Sequence, residues 1–176
     1  LLHGLGVLSL VDGNSGALFD NTPDGYTKHL FDSTLNLSWE DMTNSQRLAS
    51  SKNTDNLVWS GSNVNTAAAE IGLSDGINNG QVEMHAPNPY KEGSSVSHFS
   101  IDASPNEIME PEYTEFLIAP GLAQQILQDI GWPIINGPII SEPPANTAPV
   151  LTAIGNQTSD EDNELIISLS VTDPDN

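Results

Sequence analysis

Five prolines between positions 133 and 149 set the outer limits on what this chain can fold into. Pro133, Pro138, Pro143, Pro144 and Pro149 are interspersed with Gly, Asn and Ser. Each proline fixes its own φ and removes a backbone donor, so neither a helix interior nor a central strand can run through the stretch. It reads as an extended, semi-stiff linker. The 176 residues therefore divide into a long segment, 1–132, the linker, 133–149, and a short segment, 150–176. The long segment can bury a core of its own. The short one holds too few strands to close one.

The charge balance narrows the partners. Lys and Arg number 4 against 24 Asp and Glu, a formal net charge of −20. Such a surface is repelled by nucleic acid and by anionic membranes, so nucleic acid is excluded as a partner. The acidic residues are spread along the chain and read as a solvated surface, with bound cations as the sharper alternative. There is no cysteine, which excludes disulfides, thiolate zinc sites and cysteine nucleophiles. No apolar run approaches the roughly 18 residues that span a bilayer, so membrane insertion is not expected. The pattern opens and stops midway, without initiator Met or signal peptide, and the sequence is expected to be a fragment cut at both ends.

Within 1–132 the periodicities mix helices with short strands. Leu1–Val11 suits a buried helix, or a helix running into a strand, with Gly4 and Gly6 ending it soon after His3. Asp12–Gly16 is a turn. Ala17–Asp32 suggests a short hairpin or loop and then a brief helical turn. A helix within Trp39–Ser50 would be capped by Asp41 or Thr43, with Met42, Leu48 and Ala49 inward. Asn56–Trp59 and Gln81–Ala86 read as strands, and Asn65–Leu73 as a helix. Pro120–Trp132 is the clearest helix. Leu122, Ile126, Leu127 and Ile130 share one face, and Gly131 ends it. In the short segment, Glu164–Thr172 alternates as a strand with Leu165, Ile167, Leu169 and Val171 on one face. The fold class is α+β.

Four histidines, His3, His29, His85 and His98, are the chain's candidate metal ligands. A catalytic zinc takes three protein ligands and keeps one position open for water. His-Glu-x-x-His on a helix supplies two of them, with the Glu beside the water as general base. Were His3 the second histidine of such a motif, that Glu would immediately precede Leu1. Taken alone, His3 is equally a hydrogen-bonded histidine in an apolar helix. His29 and His85 have no ligand-type spacing and read as surface or loop histidines. Asp12 is an alternative ligand near His3, or a solvated turn aspartate. Tyr113 is close to Met109 in sequence, which assigns it no role.

Three short motifs taken together carry more. His3-Gly4-Leu5-Gly6, then Ser97-His98-Phe99, then Glu107-Ile108-Met109-Glu110-Pro111 resemble the leishmanolysin-type zinc metallopeptidases, a metzincin branch. In that group a HExxHxLGF helix is followed, after a long insertion, by a third histidine and then by a methionine turn. Val7 departs from the aromatic expected there. Ile126–Trp132 looks like the last helix of bacterial members. In the commoner string HExxHxxGxxH the third ligand would fall at Ser9, a poor zinc ligand, so His98 is what the resemblance requires. The resemblance covers 1–132. It implies a metzincin-like catalytic subdomain, truncated at its N-terminus, with His3 and His98 on Zn²⁺ and Met109 packed beneath the metal. The small residues Gly93-Ser94-Ser95 would let the loop approach the metal, or merely make it flexible.

Residues 150–176 resemble the opening of bacterial cadherin-like or immunoglobulin-like repeats. The resemblance implies the first strands of a β-sandwich, with further such repeats downstream. Ca²⁺ at repeat junctions would draw on Asp160, Glu161, Asp162, Asp173, Asp175 and Asn176, which otherwise form an acidic turn. Together these expectations describe a piece of a secreted or surface-attached bacterial zinc endopeptidase acting on protein or peptide. Without the upstream His-Glu the piece itself would be inactive. The alternative is a non-catalytic adhesion protein that keeps a degenerate metallopeptidase-like domain and calcium-binding repeats.

Overall fold

The computed structural model describes residues 1–112, 120–133, 149–162 and 164–172. The chain is mixed α+β, with small sheets and few helices among those residues. It divides into two compact units, Leu1–Ile134 and Ile135–Asn176. The proline-rich stretch 134–148 lies outside the described residues. So do Tyr113 and the acidic positions Asp173, Asp175 and Asn176.

The first unit is built on a three-stranded antiparallel sheet. Its strands are β1 (Leu30–Asp32), β2 (Leu37–Ser38) and β3 (Leu57–Trp59), in the order β2-β1-β3. Leu30 faces Trp59 and Asp32 faces Leu57 across β1 and β3. All three residues of β3 are buried. A second hairpin pairs β4 (Ile77–Asn78) with β5 (Gln81–Val82). Its turn is Asn79-Gly80, both at positive φ (50° and 79°), the backbone that a two-residue hairpin of the right twist demands.

The chain beyond β5 carries the sheet towards the two histidine stretches. Met84 N–H donates to Leu57 O (2.8 Å), Ser100 N–H to Glu83 O (2.8 Å), and His85 N–H to His98 O (2.8 Å). Phe99 N–H then reaches Met109 O (2.8 Å). One hydrogen-bonded path therefore runs from β3 through residues 83–85 to the His98 segment and on to Met109.

Of the two expected caps, Asp41 and Thr43, Thr43 begins helix α1 (Asn44–Ser50). The Thr43 hydroxyl accepts from Gln46 N–H, and the Gln46 side chain accepts from Thr43 N–H, a reciprocal cap. Its inner face differs from the expected one. Ala49 is exposed and Leu48 half-buried, while Arg47 and Ser50 are buried. Arg47 donates from Nε to Gly16 O (2.8 Å), from Nη1 to Trp39 O (2.9 Å) and Met42 O, and from Nη2 to Asn44 Oδ1 (2.5 Å). Burial lowers its pKa from the ordinary arginine value, and neutral oxygens satisfy the guanidinium. Gly16 accepts that contact at φ +70°, where a Cβ would stand 2.0 Å from Asn44 O.

Helices α2 (Ser62–Glu70) and α3 (Ala123–Asp129) pack together through Val64, Ala68, Ala123 and Ile126. The N-terminus of α2 has no side-chain cap of its own. Asp129, at the end of α3, supplies one. Its carboxylate accepts from Asn63 N–H (3.0 Å), Val64 N–H (3.1 Å), Asn63 Nδ2 (2.8 Å) and the Trp59 indole (2.9 Å). Gly61 makes room for it: a Cβ there would lie 2.1 Å from Asp129 Oδ2.

In the second unit, β6 (Val150–Leu151) pairs antiparallel with β7 (Val171–Thr172). The strand expected over 164–172 is regular only at its end, and Leu165, Ile167, Leu169 and Val171 are all exposed. Among the described residues two short strands pair without covering these side chains, and so few strands do not make a core. No helix among the described residues is long and apolar enough to cross a membrane.

Candidate metal centre

His3 sits on a single 3-10 turn, His3–Leu5, rather than in a longer helix. Gly6 ends the turn at φ 94°, its N–H donating to His3 O (3.1 Å). Val7, the next residue, is fully buried and pins the end of the turn to the core. His3 Nδ1 lies 2.7 Å from Val7 O. A carbonyl only accepts, so Nδ1 carries the proton and Nε2 keeps its lone pair. The turn is tied to the far end of the unit by Trp132, whose indole donates to Leu5 O (2.9 Å).

His98 is held in the same manner. Its Nδ1 lies 2.9 Å from Ser94 O. Ser94 belongs to a tight turn in which Ser95 N–H donates to Lys91 O (2.9 Å) and Lys91 N–H to Ser95 Oγ (2.8 Å). Gly93 serves this turn through its φ of 84°, with nothing near its missing side chain. The half-buried His98 ring titrates below the ordinary histidine value. Burial is the main cause and the His3 ring adds to it, against the pull of the Ser94 carbonyl. Its lowered pKa favours the neutral imidazole.

The two rings meet. Their centroids are 5.1 Å apart and their planes cross at 82°. With Zn–N of about 2.0–2.1 Å, a tetrahedral angle, and roughly 1.1 Å from nitrogen to ring centre, two ligating imidazoles have centroids about 5.2 Å apart. An ordinary edge-to-face pair falls in the same range. Both Nδ1 atoms are committed to backbone carbonyls, so both Nε2 atoms keep a lone pair in either case. Among the described residues, no group of three or more His, Asp or Glu side chains is arranged to hold a metal. Two imidazoles, those of His3 and His98, converge here.

Met109 is buried in the core cluster that also holds Val7, Val96 and Phe99, neighbours in sequence of the two histidine anchors. Its turn is closed by Glu110 N–H to Glu107 O (3.1 Å). The Glu107 carboxylate caps α3 through Leu122 N–H (2.7 Å). Burial raises its pKa, the Leu122 hydrogen bond lowers it, and Glu110 raises it again, leaving it above the ordinary glutamate value.

The other candidates part company with the two histidines. Asp12 is exposed, and its Oδ1 accepts from Asn14 N–H, Ser15 N–H and the Ser15 hydroxyl, so it is a turn aspartate. His29 is half-buried rather than a surface residue. Its Nε2 donates to Asp129 O (2.7 Å), and its ring lies 5.1 Å from that of Trp59. His85 is buried, at 7% exposure, because its backbone pairs with the His98 segment. Its Nε2 has no partner. Burial, then the charges of Lys91 and His98, lowers its pKa. Asp160, Glu161 and Asp162 are exposed.

Two features beside the site were not legible in the sequence. The first is Val96, which sits in left-handed backbone at φ 71°, a conformation that costs a β-branched residue on the order of 1–2 kcal/mol. The second is Glu83, buried in the strand that pairs with the His98 segment. Burial, with the nearby charges of Asp55 and Asp102, pushes its carboxyl from 4.5 up to about 7. A folded pKa above the unfolded one means that protonation favours the fold. That contribution is complete below about pH 4.5 and is lost as pH rises through about 7. The melting midpoint should lose several degrees across this window for this reason. Glu83→Gln should flatten that part of the profile, as read by circular dichroism melts.

No protein-family model, curated protein or solved structure matches this chain. Function has to be read from the residues themselves.

Proposed function

We propose that the first unit is the C-terminal part of the catalytic domain of a secreted zinc endopeptidase with a metzincin-like fold. The observation that carries this reading is the pair His3 and His98. They are far apart in sequence yet lie at a ring separation of 5.1 Å, and each is anchored through Nδ1 to a carbonyl. Zinc held there would acidify a bound water towards pH ~7 and polarise a peptide carbonyl. The chain's own part is to present two imidazoles, each in the tautomer with a free Nε2. Met109 packs in the core cluster with Val7, Val96 and Phe99. The resemblance calls for a third ligand and a general-base Glu besides these two histidines. The second unit is read as the start of a β-sandwich repeat.

The test is a zinc titration of this chain followed by histidine ¹⁵N NMR. The Nε2 signals of His3 and His98 should move together at one equivalent of zinc, while those of His29 and His85 stay. On a longer chain carrying the upstream pair, peptide hydrolysis should be abolished by a chelator and restored by zinc. Movement of neither ring, or of His29 and His85 instead, would remove the reading. The competing account is a surface adhesion protein with a degenerate metallopeptidase-like domain. Zinc binding without hydrolysis in the longer chain would select it.

A further inference from the structure

Val96 is held in its unfavourable backbone by groups from elsewhere in the unit. Its carbonyl accepts from the Tyr26 hydroxyl at 2.9 Å, and its N–H donates to His85 O at 2.7 Å. Its side chain is buried. Tyr26 is itself buried, its ring 4.9 Å from that of Trp59. The phenol therefore ties the β-sheet core to one peptide of the loop, 70 residues further on. That peptide lies between Ser94, whose carbonyl fixes the His98 ring, and His98 itself. Were Val96 to relax to an ordinary φ, the Ser94 carbonyl and the His98 imidazole would be turned away from each other.

From this geometry we infer that Tyr26 is a positioning residue for the metal centre: its hydroxyl holds Val96 in left-handed backbone and thereby aims His98 Nε2 at the point it shares with His3. The inference rests on the zinc reading and assigns a role to a residue that touches neither ligand. It comes from a balance. A β-branched residue resists this backbone, and a buried carbonyl deprived of its donor resists staying where it is. Removing one hydroxyl therefore tips the loop towards other conformations, in which the two imidazoles no longer converge. A site left slightly loose by its supporting groups binds poorly even when every ligand is present.

The experiment compares zinc affinity in the wild-type chain, in Tyr26→Phe, and in the double variant Tyr26→Phe with Val96→Gly. Cobalt serves as a second probe, for its visible absorption. Tyr26→Phe should bind zinc about tenfold more weakly, which is ~1.4 kcal/mol, with a weaker cobalt band. Glycine adopts positive φ without penalty, so the double variant should regain part of that affinity. It should do so although it has lost a buried side chain and melts lower than Tyr26→Phe. A purely structural role would make affinity follow stability, and the double variant would then bind worst. That result overturns the inference, as does wild-type affinity in Tyr26→Phe. If Tyr26→Phe does not fold, Val96→Gly alone decides: affinity near wild type despite a lower melting point supports the role, and a loss of affinity in step with stability refutes it. Absence of any zinc-linked shift of His98 in the wild type is a different failure. It removes the zinc reading, and this inference with it.

Discussion

His98→Ala should cost the chain its zinc almost completely, weakening binding at least a hundredfold, and should abolish hydrolysis in a longer chain that carries the upstream His-Glu. The change removes one of the two converging imidazoles and leaves the other, His3, to hold a metal alone. It should not unfold the protein. His98 is half-buried, and its ring makes one hydrogen bond, to the Ser94 carbonyl four residues away. Equilibrium dialysis with metal analysis reads the loss directly. His85→Ala is the matched control. It removes a buried ring that shares the same strand pair, so it should lower stability more than His98→Ala while leaving zinc stoichiometry alone. The opposite pattern would mean that the ring contact between His3 and His98 is packing and nothing more.

Asp129→Ala should destabilise the first unit more than either histidine substitution, by about 3 kcal/mol. Losing a helix cap costs roughly 0.5–2 kcal/mol, and orphaning a buried donor adds about 1–3 kcal/mol. Asp129 fills both roles, capping α2 from α3 and accepting the indole N–H of the fully buried Trp59. Its negative charge also lies at the positive end of α2. Asp129→Asn keeps an acceptor without the charge and should recover about half of the loss. Urea midpoints at neutral pH decide between them. Because Trp132 follows α3 after Ile130 and Gly131 and holds the His3 turn through Leu5, the alanine variant should also show zinc-linked shifts of His3 that are broadened or lost before global unfolding.

The features legible in the residues were local. Thr43, one of two candidate caps, marks where α1 begins, and of the face predicted for α3 Leu122 and Ile126 are buried while Leu127 and Ile130 are half-buried. The Asp12 turn is equally plain, since the aspartate meets its partners within three residues. The departures share a cause. Arg47 is inward and Ala49 outward because carbonyls of Gly16, Trp39 and Met42 converge on one guanidinium, a convergence no window of neighbouring residues contains. His29 and His85 read as surface histidines because nothing beside them in the chain suggests burial. Asp129 and Trp59 hold His29 half-buried, and the strand register buries His85. For the site, His3 and His98 came from a resemblance, and the structure adds their proximity and the tautomer that frees Nε2. Tyr26 and Val96 carried no signal, since a positive φ at a valine is the product of contacts made 70 residues away.

The enclosure of Arg47 has a consequence for durability. The chain has only 4 lysines and arginines, and the single arginine is shut inside the unit. An enzyme that cuts after cationic side chains is therefore offered Lys28, Lys52 and Lys91 and little else on the folded surface. Digestion of the native protein by a trypsin-like enzyme would begin at those points, and fragments ending at Arg47 would emerge only after the unit had opened.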